Sequence, residues 1–146
     1  MLADRVRMSY RKKVDEEIDT GVLIIEEILP ERTSSFKTEG DFYVFDTGSY
    51  GGIRYNYIHL EQNKVYELNL QYQSIDSTGW FVLLEQGASR PIMQSSLGGE
   101  PNASTTQSLT FSFIAEGTGA FHLIISRNGT TGIFKLKMDS VSVKEA

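Results

Sequence analysis

The chain has 146 residues, 40% of them hydrophobic and 23% charged, with a formal net charge of −5. That length supports one domain with a real core, burying roughly 70% of the surface its unfolded chain exposes. The acidic balance argues against nucleic acid, which is held by clustered Lys and Arg. The absence of cysteine excludes a disulfide framework and a thiolate metal site. The apolar runs, such as "VLII" and "WFVLL", are far too short to cross a bilayer, so no membrane partner is expected.

The opening, "MLADRVRMSYRKKVDEE", is charged within four residues and has no apolar h-region, so it does not read as a secretory signal. The expectation is a protein made in the cytoplasm that stays there or leaves inside an assembly. On that view Asn102 and Asn128, which open glycosylation-like triplets, are chance matches in polar turns.

Charge is concentrated at the start. Residues 1–41 carry 7 Lys/Arg and 10 Asp/Glu, about half of all charges in less than a third of the length. Leu2, Val6, Tyr10, Val14 and Ile18 recur every four residues, which gives a drifting apolar stripe, and Gly21 would serve as a C-cap. Yet Arg7, Arg11, Lys12 and Lys13 precede Asp15, Glu16, Glu17 and Asp19, which sets the acids against the helix dipole at its C-terminal end. Residues 1–20 therefore read as a short helix or as an arm shaped by a partner. Leu2, Arg5, Val6, Arg7, Tyr10 and Arg11 are its candidate docking side chains.

From residue 21 the period is two. "GVLIIEEIL" is a strand candidate closed by Pro30, and "DFYVFDTG" is a second. "IRYNYIHL" alternates, with Arg54, Asn56 and Ile58 on one face and Tyr55, Tyr57 and His59 on the other. "VYELNLQYQ" is the cleanest case: Tyr66, Leu68, Leu70 and Tyr72 face inward, and Glu67, Asn69, Gln71 and Gln73 face outward. "GWFVLLEQG" is apolar on both faces. "SLTFSFIAEG" turns Leu109, Phe111 and Phe113 inward, and "AFHLIISRNG" does the same with Phe121, Leu123 and Ile125. The closing "GIFKLKMDSVSVKEA" slips phase at Asp139-Ser140, which reads as a β-bulge. A connection over roughly residues 87–107 has the length of a functional or mobile loop. About eight antiparallel strands over residues 21–146 predict an all-β, two-sheet jelly-roll sandwich.

Three stretches resemble carbohydrate-binding-module-like, or galactose-binding-like, jelly rolls. They are "LEQNKVYELNLQYQ", the pair "FSFIAEGTGAFHLIIS", and the closing "FKLKMDSVSVKE", so the resemblance spans roughly residues 42–146. Asn63 stands where that family prefers glycine, and Ser140 where a second acid is usual. The resemblance implies a structural calcium in some members. Asp139 is the one candidate ligand, against a need for six to eight oxygens, so no cofactor is expected. The opening "LADRVRM" is similar to the openings of some tailed-bacteriophage virion proteins.

Catalytic signatures are missing. His59 and His122 both fall in strands, with no ligand spacing between them, and the carboxylates Glu67, Asp76, Glu85 and Glu100 are scattered. Binding has more to work with. Asn69, Gln71 and Gln73 offer amides for sugar hydroxyls, and Tyr50, Tyr55, Tyr57 and Trp80 offer rings to stack on sugar C–H groups. The same residues also read as a solvated sheet face and a filled core. The sequence thus predicts a non-enzymatic, homo-oligomeric virion protein of a tailed phage: a capsid decoration, head fibre or tail/neck component. Its arm would dock on other virion proteins, and its sandwich would face outward toward host-surface glycans. The alternative is a stand-alone glycan-binding module.

Overall fold

The computed structural model describes residues 31–32, 36–46, 52–88 and 90–146. The docking arm and the "GVLIIEEIL" segment lie outside the described residues. Eleven strands are present and no helix occurs among the described residues: β1 Glu31–Arg32, β2 Lys37–Glu39, β3 Phe42–Phe45, β4 Ile53–Leu60, β5 Val65–Ile75, β6 Gly79–Glu85, β7 Pro91–Gly98, β8 Gln107–Ile114, β9 Gly119–Arg127, β10 Ile133–Lys137 and β11 Ser142–Glu145. They form two antiparallel sheets. Sheet I has the order β1-β4-β9-β6-β7. In sheet II, β8 pairs with one edge of β5; β10 and β11 lie end to end along the other, and β3 and β2 follow beyond β10. This is the two-sheet jelly-roll sandwich that the alternation predicts.

Alternation explains the core directly. In β5 every second residue is buried, and Tyr66, Leu68, Leu70 and Tyr72 are each at most 2% exposed. Phe81 and Leu83 of β6 and Phe121, Leu123 and Ile125 of β9 meet them from the facing sheet. Phe134 stacks on Tyr72 at 5.8 Å between centroids, while Phe81 packs against Phe111 at 5.3 Å and Phe113 at 5.2 Å. Gly79 makes room for this: a Cβ there would come within 2.8 Å of the Phe134 ring and 2.9 Å of Leu97.

Three expectations change. The strand count is eleven among the described residues rather than about eight, because β1, β2 and β7 add to the expected set and the closing strand divides in two. The phase slip at Asp139-Ser140 is a large bulge: residues 137–141 oppose only Leu70 and Gln71 between the β10 and β11 ladders. Ser140 fills the gap, its hydroxyl accepting from the Gln71 N–H at 3.0 Å and donating to the Lys137 carbonyl at 2.7 Å. The connection expected over residues 87–107 instead contains a full strand, β7, and a pinned turn. There the buried Ser74 donates its hydroxyl to the Glu100 carbonyl and accepts from the Ala103 N–H, and the Tyr72 hydroxyl accepts from the Glu100 N–H.

Candidate functional site

The strand order gives the molecule two outward faces, and the sequence-predicted sugar residues divide between them. Asn69, Gln71 and Gln73 lie together on the outer face of sheet II, among Ser108, Thr110 and Ser112 of β8 and Lys135 and Lys137 of β10. Two of the three amides are already engaged. Asn69 Oδ1 accepts from Thr110 Oγ1 at 2.6 Å, and Gln73 Nε2 donates to Thr106 Oγ1 at 3.1 Å. Gln71 lines an open depression of about 470 Å³ with Asp41, Lys137, Met138, Asp139 and Ser140. The candidate calcium ligand Asp139 sits in that depression at a left-handed turn, with φ 62°. Its acidic neighbour Asp41 pairs with Lys137 at 3.7 Å. No cluster of three metal-ligating side chains occurs among the described residues. Among the described residues, the aromatic surface of this face is the half-buried Phe42, in the row of Lys137.

Trp80 lies on the opposite side of the sandwich. Phe81 and Leu83 take the core positions of β6, so Trp80, Val82 and Leu84 point outward from sheet I, half-buried. The ladders place their neighbours. Trp80 stands between Ser126 of β9 and Ser96 of β7. The next row across β4, β9, β6 and β7 is Arg54, Ile124, Val82 and Gln94. His122 stands beside Leu84 in the third row. Flanking serines leave the indole unwalled by any large side chain in its own row.

A bulge completes this face. Between the Tyr55–Leu123 and Ile58–Phe121 pairs of β4 and β9, two residues of β4 oppose the single His122. Asn56 is re-aimed by it, is 9% exposed, and sets its Oδ1 2.5 Å from His122 Nδ1. An amide oxygen only accepts, so Nδ1 carries the proton. The bulge also corrects the sequence assignment of β4. Tyr55 is not a surface ring: it is 6% exposed within the core, and burial raises its hydroxyl pKa well above the ordinary tyrosine value. His59, expected on the same face as Tyr55, is exposed instead. The Tyr57 side chain lies outside the described residues.

Sheet I thus presents one indole, three aliphatic side chains and a rim of amide, imidazole, guanidinium and hydroxyl groups, with no carboxylate in the three rows described. Asn56, His122, Gln94 and Arg54 escaped the sequence reading of the site. His122 was legible as outward-facing. That it shares a face with Trp80 depends on β9 pairing with β6, which no local pattern encodes.

No family model matches the chain, and no curated protein matches it. Several solved structures do. A carbohydrate-binding module of lichenase 5A from Cellvibrio mixtus, in complex with cellotriose, superposes with a TM-score of 0.52 at 12% identity, covering 86% of this chain and 97% of the module. The N-terminal cellulose-binding domain of β-1,4-glucanase C from Cellulomonas fimi gives 0.51 at 15% identity, over 79% of this chain and 85% of the domain. A cyclase from Fischerella sp. TAU, in complex with an indolyl butanone, gives 0.54 at 12% identity, over 89% and 88%. At such identities the likeness is one of fold: this chain shares its jelly-roll sandwich with carbohydrate-binding modules and with an enzyme.

Proposed function

We propose that this chain is a non-catalytic carbohydrate-binding sandwich whose ligand lies along the outer face of sheet I. In this reading a pyranose ring stacks its C–H face on Trp80, and Asn56, Gln94, Arg54 and His122 bond the hydroxyls. Planar groups with paired donors and acceptors suit vicinal hydroxyls, and an aromatic body supplies apolar contact area. The observation that carries the reading is the shared face of Trp80 and the bulge-positioned Asn56–His122 pair. The cellotriose-bound and cellulose-binding modules of the same fold support it and make β-1,4-glucans the first polysaccharides to try. Glycan binding replaces the virion role as the main reading, because the similar structures include carbohydrate-binding modules. The three described rows of the face carry no carboxylate, which favours binding there over hydrolysis, a reaction that needs two such groups across the scissile bond.

The test is affinity electrophoresis or a glycan array with the intact protein, Trp80→Ala, and Gln71→Ala/Gln73→Ala. Retention by the intact protein is expected to vanish in Trp80→Ala, with the thermal midpoint nearly kept, and to persist in the double variant. Loss in the double variant alone would move the site to sheet II. No retention by the intact protein on any glycan would remove the reading.

A further inference from the structure

Five edge strands bound the two sheets among the described residues, β1, β7, β2, β11 and β8, and four of them are guarded against pairing. β11 is four residues long and ends in Lys144-Glu145. β1 is two residues long. β2 is the short, charged Lys37-Thr38-Glu39, tied down by Lys37–Asp46 at 3.1 Å. β7 begins with Pro91 and shifts register twice against β6. Shortness, charge, proline and bulges are the usual means of keeping an edge from templating another strand. β8 has none of them. It runs eight residues, Gln107–Ile114, in an unbroken eight-pair ladder with β5, and no strand occupies its second edge among the described residues.

The chemistry of this edge is that of a self-contact. Residues 101–115 carry no charge, in a protein with net charge −5. A partner attracted by charge would find nothing there, whereas two copies meet without like charges in contact. The outward residues Ser108, Thr110 and Ser112 are exposed hydroxyls able to donate and accept in either direction. Core-facing Leu109 and Phe111 are only partly buried at this flank. Ile114 is 55% and Val65 43% exposed as a cross-strand pair at its end, two of the three large hydrophobics left exposed. A neighbouring strand would cover part of this surface.

We propose that two copies of this chain associate through antiparallel pairing of β8 with the partner's β8 about a two-fold axis near Thr110–Ser112, joining their second sheets into one continuous sheet. An isologous contact of this kind closes on itself, because both copies contribute the same edge. The axis stands across the joined sheet, so the Trp80 faces of both copies look to the same side.

Sedimentation velocity on the full chain tests this. The intact protein is expected to show a concentration-dependent monomer–dimer equilibrium with no larger species. Thr110→Lys/Ser112→Lys sets lysines against lysines across the axis and is expected to raise the dissociation constant about tenfold. Mixing it one-to-one with Thr110→Glu/Ser112→Glu is expected to restore a dimer, now mixed. Circular dichroism checks that each variant stays folded. A monomer at every soluble concentration would overturn the proposal, as would an intact-protein dimer indifferent to both variants. The glycan readout of Trp80→Ala is separate, so either proposal can fail without the other.

Discussion

Tyr55 sits between the sheets with its hydroxyl raised in pKa by burial, and to a smaller degree by the nearby Tyr43 and Asp139. In the unfolded chain the same group ionises near pH 10. The neutral form is therefore favoured by folding. Its contribution is fully present below pH 10 and is lost as pH rises above it toward the folded value, at about 1.4 kcal/mol per unit. Urea titrations at about pH 9 and 11 should show the intact protein losing more stability over that interval than Tyr55→Phe. Backbone conformation accounts for two other single residues. Asn63 has φ 72° and Asp139 φ 62°, in the left-handed region that Asn and Asp enter more readily than other non-glycine residues.

Among the elements, those with strict alternation were legible from the chain alone: β5, β8 and β9 present to the core the residues their period assigns. β7 was not, because its Pro-Ile-Met-Gln-Ser-Ser-Leu-Gly sequence follows no single period, and its register shifts at both ends of the pairing with β6. β4 was half legible. Its hydrophobic run marked a strand, but the bulge after Tyr55 exchanged the faces of everything downstream, so that Tyr55, a supposed sugar ring, shares the core face with Ile58 and Leu60. The turn that joins β7 to β8 is pinned from β5 by the Tyr72 and Ser74 hydroxyls. Ser74 is 2% exposed and serves both the Glu100 carbonyl and the Ala103 N–H, while its own N–H bonds the Ala103 carbonyl at 3.0 Å. Ser74→Ala leaves two backbone groups without that partner, and a loss of about 1–3 kcal/mol is expected in chemical denaturation.

For the whole molecule, strand order decides what a face contains. The amide row and Trp80 sit on adjacent strands of the sequence, β5 and β6, yet the chain crosses between sheets at residues 76–78 and sends them to opposite sides. Periodicity gave each residue its in-or-out assignment; it held no information on which sheet the residue joins, and so merged two surfaces into one site. The neutrality of β8 has a final consequence, for electrolyte. Each copy carries −5 overall, so approach is opposed by long-range repulsion while the contact itself gains nothing from ion pairing. Salt shortens the reach of that repulsion, to about 8 Å at physiological ionic strength. Association should therefore tighten as sodium chloride is added, where a contact built on opposite charges would loosen, and sedimentation across a salt series reads the sign directly.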